Sequence, residues 1–181
     1  MILLIGVEPT EELRKIQITG GSIVNKKRVL FLCTHNAGRS QMAEALLRHI
    51  YPGKYEAYSA GAYPGRVNPL AIKAMAEIGV DISGQRAKNI DEFRGREFDL
   101  VVTVCKSTGK VSCPFCSTKP LSALNREAPE IITRNVSFGK WFEHGYPDPN
   151  EVEGSENEKL NAFRRTRDDM EKWITEYFAN L

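Results

Sequence analysis

Three short apolar runs constrain the fold more than any other feature of this chain: "RVLFLC" at 28–33, "YEAYSAG" at 55–61 and "FDLVVTVC" at 98–105. The first and third are nearly continuous in apolar residues, as a strand buried on both faces of a parallel sheet requires. Helical spacing follows the first run. From about Ser40 to Ile50 it places Met42, Ala45, Leu46, His49 and Ile50 on one face. After the second run, Asn68 and Pro69 open another helix as N-cap and first helical residue, and it runs to about Ile78 and stops at Gly79. Strands alternating with helices imply right-handed crossovers and a parallel sheet.

"EIITRNVSF" at 130–138 is expected as a fourth strand. Ser155, Glu156, Asn157 and Glu158 form a capping box before a long helix. That helix carries Leu160, Phe163, Met170, Trp173, Ile174, Tyr177 and Leu181 on one stripe, which is read as core packing. Residues 1–26 read as an extension with a turn at Gly20-Gly21, packing on the domain or mediating self-association. Residues 27–181 read as one domain.

Composition narrows the function classes. The chain has 181 residues, 41% of them hydrophobic, enough for one adequate core. A net charge of +2 gives no broad footprint for nucleic acid. No apolar run approaches the roughly 20 residues that span a bilayer, and "MILLIG" is too short and lacks the basic start of a secretion signal. A cytoplasmic, reducing compartment is expected. Four cysteines there point to catalysis, redox exchange or metal binding rather than to structural disulfides.

Ligands on parallel sheets bind beyond the carboxyl ends of the strands, and Cys33 and Cys105 both stand at such ends. Cys33 begins "CTHNAGRS", in which five residues separate it from Arg39. A strand, a tight loop and a helix N-terminus make an anion site, because backbone N–H groups converge there and the helix dipole favours negative charge. Thr34, His35, Asn36, Ala37 and Gly38 supply that backbone, and Arg39 adds a planar fork that matches two oxygens of a tetrahedral oxyanion. The same field favours ionised sulfur at Cys33, and a thiolate inside an oxyanion cradle attacks the central atom. Gly38 is expected to let the backbone approach the ligand, Asn36 to brace the loop, and the Ser40 hydroxyl to donate to the sulfur.

"VLFLCTHNAGRSQMAEALL", "YSAG", "NPLAIKAMAEIGVDIS", "DLVVTVC" and a late "DP" together resemble the low-molecular-weight tyrosine phosphatases over about residues 28–178. The resemblance is closest to their thioredoxin-coupled arsenate reductase branch. It implies an α/β three-layer sandwich: a four-stranded parallel sheet with helices on both faces. It also implies that Asp148, in "YPDPN", protonates a leaving oxygen.

On the reductase pattern, Cys33 is the nucleophile, Cys105 the second thiol and Cys113 the resolving thiol. Arsenate or a phosphate-type oxyanion is the substrate, and thioredoxin or a glutaredoxin-like protein the reductant. If the two strands are adjacent, Cys105 lies within disulfide reach of Cys33 after modest loop movement. Cys116 forms C-P-F-C with Cys113, so either can resolve Cys105. Residues 117–134 look like an insertion relative to that branch. Some relatives hold potassium beneath the loop through residues matching Asn36, Glu44 and Ser59. Here Lys88 stands where a further acidic ligand would be, so its ammonium is expected in the ion's place, with no metal or other cofactor.

Three rival readings stay open. One is a tyrosine phosphatase working through a Cys33 phosphocysteine with Asp148 as acid. Another is a zinc module on Cys105, Cys113, Cys116 and His144, for which the second close-spaced ligand couple of a structural zinc site is missing. The last is a sensor of oxidation.

Overall fold

The computed structural model describes residues 25–106, 113–117 and 127–181, and the backbone of residues 18–19 and 22–23. Within these, β1 (Ile18–Thr19) and β2 (Ser22–Ile23) form a two-stranded antiparallel pair in the amino-terminal extension. The turn expected at Gly20-Gly21 and residues 118–126, half of the insertion expected at 117–134, lie outside the described residues.

The main sheet is built from β3 (Lys27–Cys33), β4 (Tyr55–Gly61), β5 (Glu97–Cys105) and β6 (Ser137–Tyr146), in the order β4-β3-β5-β6 with every pairing parallel. β3 and β5, the two apolar runs, take the central positions. Val29 to Leu32 and Val101, Val102 and Val104 are fully buried there. Four helices, α1 (Arg39–Ile50), α2 (Pro69–Ala76), α3 (Glu130–Thr133) and α4 (Glu156–Ala179), complete the described domain. Asn68 caps α2 through its side chain, and the Ser155–Glu158 capping box opens α4.

α1 and α4 cover one face of the sheet. Phe31 meets Phe178, and Phe142 meets Trp173 and Tyr177. The expected stripe on α4 is core: Leu160, Phe163, Met170 and Ile174 are buried, with Phe178 added, while Trp173, Tyr177 and Leu181 are partly buried against the core. No helix among the described residues is long and apolar enough to cross a membrane.

The fourth strand departs from expectation. Within "EIITRNVSF", residues Glu130–Thr133 form the short helix α3, started by Pro129, and the strand begins only at Ser137. The misreading has a physical cause. β6 is an edge strand with only Tyr146 buried, so its sequence lacks the apolar run of a central strand, whereas Ile131 and Ile132 make α3 look like one.

Candidate active site

The loop from Cys33 to Arg39 leaves the end of β3 and enters α1. Its conformation is set from outside. The carbonyls of Thr34, His35 and Ala37 accept from the N–H groups of Tyr63, Gly65 and Asn68 at 2.9, 3.0 and 2.7 Å, and the carbonyl of Asn36 accepts from Gln41 Nε2 at 2.9 Å. In a trans peptide the N–H points opposite to the C=O, so outward carbonyls turn the loop's N–H groups inward. The Asn36 N–H accordingly donates to Cys33 Sγ at 3.2 Å. α1 has no acidic residue in its first turn and no side-chain cap, which leaves its positive end facing the loop for an anion.

Cys33 Sγ also lies 2.9 Å from Ser40 Oγ, as expected for a hydroxyl that steadies the sulfur. Asn36 is buried and is the one non-glycine among the described residues at positive φ, 49°. Its amide donates to Ser40 Oγ and Ser59 Oγ, both at 2.8 Å, and its carbonyl oxygen accepts from Gln41 Nε2 and the Lys88 N–H. Ser59 donates in turn to Glu44. Glu44, nearly inaccessible, pairs with Arg48 at 2.6 Å and with Lys88 Nζ at 3.3 Å. The Lys88 ammonium therefore contacts the buried carboxylate that the family resemblance links to a cation.

Arg39 is buried. One of its N–H groups donates to the Tyr146 carbonyl at 3.1 Å and another to Asp148 Oδ2 at 2.6 Å. The other carboxylate oxygen of Asp148, Oδ1, accepts from the Asn150 N–H at 3.0 Å and caps a short turn at Pro149–Glu151. The structure thus brings Cys33, Asn36, Arg39, Ser40 and Asp148 together, while the side chain of His35 is exposed.

Gly38 has a packing reason for its small size. A Cβ there would lie 3.2 Å from Phe163 of α4, so the small residue serves helix packing. The glycine that protects the loop is Gly61, at the end of β4. A Cβ there would lie 2.8 Å from Asn36 N, 2.9 Å from His35 C and 3.0 Å from Thr34 O. Gly61, Gln41 and the Tyr146 carbonyl escaped the sequence reading. The one available signal was the glycine ending the second apolar run.

The remaining cysteines gather at the end of β5. Cys105 and Cys113 form a disulfide with Cα atoms 6.6 Å apart, and Cys116 donates to the Cys105 carbonyl at 3.3 Å. All three sulfurs lie within 4.8 Å of one another. The C-P-F-C segment is a turn, with Cys116 N–H donating to Cys113 O at 3.0 Å. Phe115 anchors it, fully buried and accepting from Thr103 Oγ1 at 3.0 Å, while the Ser117 N–H reaches Glu143 of β6. The expected ease of contact between Cys105 and Cys33 is corrected here. Thr103 pairs in register with Leu32, so strand alternation sets Cys105 on the Leu32 side of the sheet and Cys33 on the other. In this form Cys105 is turned to Cys113. His144, proposed above as a zinc ligand, stacks on Trp173 at 4.3 Å, and burial pushes its pKa down.

Comparison with known proteins agrees with this geometry. Residues 28–181 match the low molecular weight phosphotyrosine protein phosphatase family. The arsenate reductase of Halalkalibacterium halodurans is 39% identical over 151 residues, which is 83% of this chain and 94% of that protein. The arsenate reductase of Bacillus subtilis is 35% identical over 154 residues, 85% of this chain and 96% of that one. An arsenate reductase solved in its oxidized state superposes with a TM-score of 0.59 at 28% identity, covering 85% of this chain and 98% of that one. A low molecular weight protein tyrosine phosphatase from T. tengcongensis superposes with a TM-score of 0.58 at 25% identity, covering 86% of this chain and all of that one. The chain belongs to the low molecular weight phosphotyrosine protein phosphatase family and stands among its arsenate reductases.

Proposed function

We propose that this protein reduces arsenate to arsenite and passes the resulting oxidation through its own cysteines to a dithiol protein of the thioredoxin or glutaredoxin type. Arsenate sits in the cradle of inward N–H groups, opposite Arg39. The Cys33 thiolate attacks arsenic, and one oxygen leaves as water with a proton supplied by Asp148. The Cys105 thiolate then attacks Cys33 sulfur. The sulfur–arsenic bond breaks with its electron pair left on arsenic, so As(V) becomes As(III) and a Cys33–Cys105 disulfide forms. Cys113 next attacks Cys105, freeing Cys33 as a thiolate and leaving the Cys105–Cys113 bond.

That bond is the observation which carries the reading. Hydrolysis of a phosphocysteine uses neither cysteine, whereas a reductase ends its internal cycle with these two joined. The turned-away Cys105 belongs to this final form, and its exchange with Cys33 requires the end of β5 to turn once the bond is reduced. Such a cycle needs a compartment that keeps dithiol proteins reduced, in keeping with the cytoplasm.

The first half of the cycle is shared with phosphatases, so slow aryl-phosphate hydrolysis is expected as a side activity. Arsenate-dependent oxidation of thioredoxin, measured beside aryl-phosphate hydrolysis, tests the assignment. Turnover with arsenate is expected. Aryl-phosphate hydrolysis with no arsenate turnover under any thiol donor would make the protein a phosphatase.

A further inference from the structure

Resting on the reductase reading, we infer that Cys116 is a fourth thiol in the cascade, carrying the disulfide from the buried Cys105–Cys113 pair to the protein surface. A reductant protein must bring its own thiolate into contact with the sulfur it attacks. Cys105 is 2% exposed and Cys113 4%, so their bond is shielded by the domain, whereas Cys116 is partly exposed. Its sulfur lies within 4.8 Å of both bonded sulfurs, and its hydrogen bond to the Cys105 carbonyl holds it against the end of β5.

The turn is already shaped for the transfer. Cys113 and Cys116 are the outer residues of a four-residue turn closed by the 3.0 Å bond from Cys116 N–H to Cys113 O. Such turns bring their outer α-carbons within about 7 Å, close to the range a disulfide spans. Phe115 pins the middle of the turn to β5, so the two sulfurs can exchange partners while the backbone stays in place.

The step is an isoelectronic exchange. Cys116 loses its proton and its thiolate attacks the Cys113 sulfur. The Cys105–Cys113 bond breaks, the Cys113–Cys116 bond forms, and Cys105 leaves as a thiolate that takes up a proton. The reductant's first thiolate then attacks Cys116, and Cys113 leaves. The reductant's second thiol resolves the mixed disulfide, restoring both cysteines as thiols and leaving the reductant oxidised. Cys105, released one step earlier, is free to serve Cys33 again.

Two measurements test the relay. In the first, wild-type protein and Cys116→Ser are given arsenate without reductant, and then with reduced thioredoxin. Both proteins are expected to release the same single-turnover arsenite. Steady-state oxidation of thioredoxin is expected to fall about tenfold or more in Cys116→Ser. Equal steady-state rates would overturn the relay while leaving the arsenate reading intact. Failure of the wild type to release arsenite in the single turnover would instead overturn the reading on which the relay rests.

The second measurement needs no variant of this protein. A thioredoxin whose resolving cysteine is serine is mixed with oxidised wild type, and the trapped mixed disulfide is mapped by mass spectrometry. A bond to Cys116 is expected, together with a Cys113–Cys116 disulfide in the untrapped fraction. A bond to Cys105 or Cys113 would overturn the relay, as would stoichiometric zinc held by the three sulfurs in the reduced protein.

Discussion

Asn36 adopts a left-handed conformation that few side chains tolerate, and it spends both ends of its amide on the loop, on Ser40, Ser59, Gln41 and Lys88. Gly61 protects that arrangement from the neighbouring strand. Gly61→Ala would drive a methyl group into loop backbone, so the N–H cradle must shift. Destabilisation of about 1–3 kcal/mol is expected in denaturant unfolding, with loss of oxyanion binding by calorimetry. Ser40→Ala removes the hydroxyl beside the reacting sulfur and one of the two acceptors of the Asn36 amide, which keeps its bond to Ser59. Its kcat is expected to fall about 10- to 100-fold with little change in KM for the oxyanion, checked by steady-state kinetics. Cys33, Arg39, Ser40 and Asn36 were legible in the sequence because a short loop between a strand and a helix forces them together. Gly61, Gln41 and the Tyr146 carbonyl were not, because their roles depend on which strands become neighbours.

Elements explain both the success and the failure of the sequence reading. Central strands β3 and β5 announce themselves as apolar runs because both faces are covered; the edge strand β6 does not, and α3 took its place in the reading. The end of β5 is tied down by the Cys105–Cys113 bond and by Phe115. Reduction is expected to speed amide hydrogen exchange at 103–105 and 113–117 relative to the rest of the sheet, measured by mass spectrometry. Unchanged protection would contradict the turning of β5 that transfer from Cys33 requires. Where β6 meets α4, His144 is stacked on Trp173 and burial lowers its pKa. The unfolded chain therefore binds the imidazole proton more readily than the folded one, and stability is lost as pH falls through and below about 6.5. Thermal melts between pH 8 and 5 should show this decline, and His144→Phe should flatten it. Glu77, held at about 2 by Arg164 and Arg167, titrates below that window.

For the molecule as a whole, the parallel topology gathers every reacting group at the carboxyl end of the sheet, as strands and helices in alternation foretold. Cys33, Cys105 and Cys113 are all buried, and Cys116, last in sequence, is the partly exposed cysteine. What the sequence could not show was the side of the sheet to which each sulfur turns, since alternation is readable only once register is known. In the proposed cycle Cys105 removes arsenic from Cys33. Single-turnover arsenite release by Cys105→Ser, beside its aryl-phosphate hydrolysis, tests this most directly. Arsenite release is expected to be abolished while hydrolysis persists. Arsenite released by Cys105→Ser at the wild-type rate would contradict it.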